Sequence, residues 1–378
     1  MTEQNHTEQN QIVQPHSEYY IGIMSGTSLD GIDVVLVDFS TGYPKLLGTH
    51  FQAYNSRLKD TLLALHHSAN DELHQMQIIA NELANLYAAA TAILLREANI
   101  PLDQVRAIGC HGQTIRHCPS DGYTLQLGNA ALLTELSGIT VVSDFRSGDI
   151  AAGGQGAPLV PVFHDSVFRH PSIHRVIVNI GGISNLTNLP PKRHTTGFDC
   201  GPGNMLMDAW ISLQRGELYD QDGAWAASGQ VIPALLQQLL DEPFLNAVPP
   251  KSSGRDLFNL AWLNSKLRGD EVPVNVQATL LAFSSRVISD AIHCFCDGAQ
   301  EVYLCGGGAH NQALVQYLGL SLPNCRIQTT DPLGLEVDWL EAIAFAWFAR
   351  QRLYGYSVNL TTVTGARHPC VLGAIYSV

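Results

Sequence analysis

The chain has 378 residues, 46% hydrophobic and 15% charged, which is too long for one ordinary core and sets an expectation of two or perhaps three domains with modestly charged surfaces. Its 21 Lys and Arg against 34 Asp and Glu leave a formal charge of −13, which disfavours non-specific nucleic-acid binding and makes any anionic ligand depend on local donors such as backbone N–H groups or a placed arginine. No apolar run approaches the roughly 20 residues that span a bilayer, and eight cysteines without a CxxC pair read as reduced thiols, not as a disulfide framework or zinc site.

Residues 1–17 are polar, repeat TEQN and lack the basic start and apolar centre of a signal peptide, so a disordered tail is expected. From Tyr20 to Ser40 two apolar runs flank a small polar turn, the pattern of two joined strands. Helical periodicity covers 56–67 and 74–97, with Ile78, Leu83, Leu86 and Ala90 as the apolar stripe and His66, His67 and His74 on a solvated face. A strand with a glycine turn is expected over 105–115, a strand passing into a helix over 124–138, and a strand over 139–145. After a Gly-rich stretch the layout restarts: strand, glycine turn and strand over 176–189, a helix at 204–215, a mainly helical region over 230–296, strand–triple glycine–helix over 302–318, and a last helix over 339–353. The alternation predicts α/β sheets covered by helices, and the repetition predicts two related domains, 18–140 and 141–378, the second with a helical insertion. The last residues are left free to pack back on the first domain.

A phosphate site needs close backbone approach, free N–H groups and short hydroxyls. Ser25–Gly31, SGTSLDG, supplies two glycines, three hydroxyls and a carboxylate, more than turning the chain requires. Asn179–Asn185, NIGGISN, repeats the idea in the second half, although paired glycines also mark bulges. Two such turns in equivalent places suit a phosphate chain clamped from both sides. Gly306, Gly307 and Gly308, followed by His310 and Asn311, permit close approach of a flat ring or ribose; a tight strand-to-helix turn has the same letters. Asp199, among Gly197, Gly201, Pro202 and Gly203, is placed as a general base or, equally, as an Asx turn or helix cap. Glu341 reads as a first-turn acid complementing a helix dipole. The segment 144–158, with Asp144, Arg146, Asp149 and Gln155 among glycines, reads as a ligand loop. His111 and Gln113 offer donors at a strand end, with a satisfied core histidine equally compatible. No GxxxxGK[ST], GxSxG, HExxH or protein-kinase signature is present, and no GxGxxG follows a strand.

Six segments occur in this order: GIMSGTSLDGID, GCHGQTIRH, DIAAGGQGAPLVP, VNIGGISNLT, GFDCGPGNMLMDAW and CGGGAHN. Together they resemble the anhydro-N-acetylmuramic acid kinases of the sugar kinase/Hsp70/actin fold, from about Tyr19 to the C-terminus. The resemblance implies two actin-like (ribonuclease H-like) domains around a nucleotide cleft. It also implies a cytoplasmic enzyme of cell-wall recycling, which converts 1,6-anhydro-N-acetylmuramic acid, ATP and water to N-acetylmuramate 6-phosphate and ADP. Asp199 is then the base that activates water, and Glu341 either hydrogen-bonds the sugar or assists the water. Gly26, Thr27, Ser28, Leu29, Asp30, Gly31, Ile32 and Asp33 hold phosphates. Asn179, Gly181, Gly182, Ser184 and Asn185 form the second clamp, and Gly306–Asn311 holds adenosine. Arg146, Asp149, Gln155 and His111 are expected on the sugar side, with Arg146 facing its lactyl carboxylate. Mg²⁺ is expected to bridge the phosphates with Asp30 as a partner through water. A homodimer is the implied assembly, with neither nucleic acid nor membrane as partner. The alternatives are an ATP-switched actin- or Hsp70-like binding protein without sugar turnover, and a two-carboxylate glycosidase needing no ATP.

Overall fold

The computed structural model describes residues 18–378 except Thr27, Ala69 and Asp256; the expected tail lies outside the described residues. In chain order the first half contains β1 (Tyr19–Ser25), β2 (Gly31–Asp38), β3 (Lys45–Ala53), α1 (Ser56–Ala64), α2 (Glu72–Ala98), β4 (Val105–Cys118), β5 (Tyr123–Leu127), α3 (Ala130–Ser137) and β6 (Val141–Ser143). There follow α4 (Ser147–Ala151), α5 (Val160–Phe168), β7 (Arg175–Ile180), β8 (Ile183–Leu189), β9 (Thr196–Pro202), α6 (Met205–Arg215), α7 (Ala224–Ala227), α8 (Pro233–Leu240), α9 (Leu260–Asn264) and α10 (Pro273–Phe295). The chain ends with β10 (Glu301–Cys305), α11 (Gln312–Ser321), β11 (Arg326–Thr329), α12 (Leu340–Leu353) and β12 (Ala374–Tyr376).

The strands form two sheets with one plan. The first contains the run β3-β2-β1-β4-β6 and the second is β9-β8-β7-β10-β11. In each run the first three strands are antiparallel and the next two parallel. This shared order is that of two related α/β halves, the actin-like layout expected. The first sheet also takes β6 from beyond residue 140 and β12 from the C-terminus, β12 pairing antiparallel with β6.

Strand alternation divides the first sheet between two cores. Ile21, Ile23, Val34 and Leu36 face α2, whereas Tyr20, Val35, Val37 and Ala107 join one continuous core with the second half. At Gly22 and Gly109 the fit of α12 on β1 and β4 is so close that a Cβ would run into the carbonyls of Ala342 and Phe345.

Two sequence expectations change. The buried stripe of α2 is Ile79, Leu83, Tyr87, Ala90 and Leu94, whereas Ile78 is 49% exposed, because it sits one residue, about 100° of helix, from the stripe. By length and composition α2 is apolar enough to cross a membrane, contrary to the reading of apolar runs. Here it is a core helix: it packs on β2, β3 and α3, and its charged residues, spaced along it, fall outside the buried stripe.

Candidate active site

Asp199 lies on β9, opposite Asn185 on β8, which lies opposite Asn179 on β7, which lies opposite Cys305 on β10. Cross-strand partners point to the same face, so these four side chains form one row over the sheet. Asp199 is therefore a strand residue, not a helix cap. Its N–H donates to the Lys251 carbonyl (3.2 Å), and its Oδ2 accepts from the Ser253 N–H (2.9 Å). Burial pushes its carboxyl up to about 7, opposed by that N–H and by Arg146 and Lys251, and reinforced by Glu341. A carboxyl balanced there exchanges a proton near neutrality, which suits a general base.

Glu341 sits in the first turn of α12; burial raises its carboxyl, with Arg146 and then the Asn179 side chain opposing. Its place in the first turn fits the dipole account, and its contacts bring it to the row as well. Arg146, just before α4, donates from Nε (3.1 Å) to His111 Nε2 and from Nη1 (2.7 Å) to the Gly156 carbonyl. His111 is buried against Phe345 with ring centroids 4.7 Å apart. Burial, then Arg146, hold it well below its ordinary pKa, so the imidazole is neutral and accepts from the guanidinium. It therefore stands behind Arg146. The guanidinium forms no ion pair among the described residues; burial lowers its pKa, and Glu341, Asp199 and Asp149 oppose that by favouring its ionised form.

Three glycine turns border this cluster. In the first, Leu29 is buried with φ +62° and anchors the β1–β2 turn from beneath, leaving Ser28 and Asp30 exposed; Thr27 lies outside the described residues. Asp33, at the start of β2, is raised to about 7 by burial and then by Glu341, Asp338 and Asp30. In the second, the Gly181 and Gly182 carbonyls accept the N–H groups of Gly203, Asn204 and Met205, which seats the α6 N-terminus on the turn. In the third, Gly306 and Gly308 pack on Asn179 and Ile180, whereas a Cβ on Gly307 would meet nothing nearer than Asn204 Nδ2 at 3.9 Å.

Residues 18–378 match the family model described as anhydro-N-acetylmuramic acid kinase. The chain belongs to the anhydro-N-acetylmuramic acid kinase family. The relative of that description from Thiobacillus denitrificans is 56% identical over 364 residues, covering 95% of this chain and 97% of its own length. The one from Nitrosospira multiformis is 54% identical over 360 residues, covering 95% and 98%.

In this family member the expected residues do not all present free polar groups beside Asp199. Asp149 is fully buried, one oxygen accepting from Gly156 N–H (2.7 Å) and the other from Thr364 Oγ1 (2.7 Å). Gln155 is half-buried, with its N–H bonded to the Thr364 carbonyl. Ser184 is buried and donates to the Gly201 carbonyl, Gly31 and Ile32 are buried in β2, and Asn311 Oδ1 caps α11 at Leu314. Sequence reading passed over Lys251, Ser253, Asp208 and Arg255. The last two lie with Asp30 in one charged group between the halves, where burial and then Asp30 raise Asp208 to about 7. The run KSSGRD at 251–256 was the available signal, a polar Gly-containing segment inside an otherwise helical region.

Proposed function

We propose that the chain is an ATP-dependent kinase that opens 1,6-anhydro-N-acetylmuramic acid with water and phosphorylates the freed O6. The observation that carries this reading is Asp199, a buried carboxyl held near neutral pKa in the same row as the Asn179–Asn185 turn. Asp199 accepts the proton of a water that attacks the anomeric carbon. The carbon–O6 bond breaks, and O6 takes the γ-phosphoryl group, leaving ADP. Arg146, fixed by His111 and without a carboxylate partner among the described residues, faces the lactyl carboxylate. Glu341, beside Asn179, shares the sugar side, and Asp149 fixes the 144–158 loop from within instead of touching the sugar. Gly26, Gly181 and Gly307 approach the nucleotide. Most of the acceleration then comes from positioning and charge stabilisation.

Asp30 and Asp33 offer hard oxygen donors beside the phosphate turn but, among the described residues, no preformed cage of three acids or histidines. That fits Mg²⁺ held mainly by phosphates and water, with these two aspartates as its protein partners. When bound, the ion neutralises charge on the phosphates. The division between halves is proposed to follow the sheets, which assigns β6 and β12 to the first. Eight free cysteines support a cytoplasmic enzyme. The homodimer rests on family resemblance alone.

The test is ADP release measured with and without the anhydro sugar in wild type and Asp199→Asn. Sugar-dependent release, lost by at least ~10³-fold in the variant with ATP binding retained, supports the reading. Sugar-independent release favours an ATP-switched binding protein, and ring opening without nucleotide favours a glycosidase.

A further inference from the structure

The segment following the short turn at Pro243–Asn246 runs beside β9 without belonging to the sheet. It meets Asp199 twice through its main chain: the Lys251 carbonyl accepts the Asp199 N–H, and the Ser253 N–H donates to Oδ2. Between these contacts the Lys251 side chain turns inward. It is 8% exposed, and Nζ donates to the carbonyls of Phe244 (3.1 Å) and Leu245 (2.9 Å). The ammonium also lies over the rings of Phe244 at 4.8 Å and Phe198 at 5.7 Å, and Phe198 is the residue before Asp199. It forms no ion pair among the described residues.

Burying an ammonium is costly, and two carbonyls and two rings compensate it only in part. A neutral side chain would pack the same space at lower cost. The charge has one consequence the packing does not require: it favours the ionised form of a carboxylate reached by the same segment.

We propose that Lys251 and Ser253 are positioning residues for Asp199, Ser253 fixing one carboxylate oxygen through its N–H and Lys251 supplying a fixed positive charge that keeps the base ionised at working pH. This rests on Asp199 being the base. The charged groups facing Asp199 are Arg146 before α4, Glu341 on α12 and Lys251; the neighbouring Cys200 thiol is pushed up by burial and stays neutral. Lys251 and Arg146 favour the carboxylate, and Glu341 opposes it. Asp199 in turn favours the charged form of Lys251, whose pKa burial lowers.

The experiment is the pH profile of kcat/KM for wild type, Lys251→Met, Lys251→Gln and Lys251→Arg, with Asp199→Asn assayed alongside and folding checked by urea denaturation. Wild type should show an acid limb near the pH at which Asp199 ionises. Both neutral variants should move that limb to higher pH by about 0.5–1 unit and recover activity at alkaline pH, whereas Lys251→Arg should keep it in place. Lys251→Gln retains a donor for the Leu245 carbonyl, so it decides the matter if Lys251→Met does not fold. A lysine that only braces the loop would lower the urea midpoint and leave the limb unmoved, which overturns the proposal. Equal shifts in the Arg and neutral variants overturn it too, because charge is then not the cause. If Asp199→Asn turns over normally, the base assignment itself fails; if that variant is dead and the limb stays put, only the role of Lys251 fails.

Discussion

Asp199 shows how a single side chain sets stability against chemistry. Its folded pKa of about 7 lies above the ordinary 3.8, so the folded chain keeps a proton that the unfolded chain releases between those values. Its contribution to stability is therefore complete below pH 3.8 and is lost as pH rises through about 7. Asparagine has no charge to desolvate and still offers an oxygen to Ser253. We therefore expect Asp199→Asn to melt roughly 2–4 °C above wild type at pH 8 and by clearly less at pH 5, the two becoming level only below pH 3.8. Calorimetry at the two pH values checks this. An equal gain at both would mean that the asparagine acts through packing and not through charge.

Elements place the glycines in two different jobs. Gly307 and Gly308 are adjacent, yet one faces open space and the other lies against Ile180. We expect Gly308→Ala to lower stability by ~2–3 kcal/mol through a clash the strand cannot relieve. Gly307→Ala should leave the urea midpoint nearly unchanged and raise KM for ATP about 3–10-fold by holding the nucleotide off the backbone. If Gly307→Ala changes neither, the third turn does not border the nucleotide. The strand–glycine–helix pattern was legible in the sequence, but both glycines look the same in it, because the neighbour that separates their roles is about 130 positions earlier. Strand β9 was missed for a related reason. Its glycines and proline read as loop, and it is the partner strand β8 that holds Thr196–Pro202 extended.

For the whole molecule, the buried carboxyls should shape the pH dependence of folding. Asp33, Asp199 and Asp208 are each raised to about 7, so each favours the folded state less as pH rises toward and through that value. His111 and His164 are buried and held below the ordinary 6.5, so they act in the opposite sense, gaining stability as pH rises to 6.5 and nothing above it. The two sets partly offset each other below pH 6.5, and the aspartates act alone above it. Stability in urea is expected to be lower at pH 8 than at pH 6.5, by ~1–3 kcal/mol. A flat or rising profile over that interval would mean that these carboxyls are already ionised in the folded chain.

Local order is what the sequence determined by itself: the strand runs at β1, β2, β7 and β8, glycine turns between them, and six ordered segments specific enough to indicate the family and Asp199. These depend on neighbours within a few residues, where period and turn chemistry act. Tertiary structure alone decided that Asn179, Asn185 and Asp199 share a row, that α2 turns Ile79 inward and not Ile78, that Asp149 closes on Gly156 and Thr364, and that Lys251 lies beside Asp199. Burial and strand register bring together residues far apart in the chain, and the desolvation that tunes a carboxyl exists only once they have met.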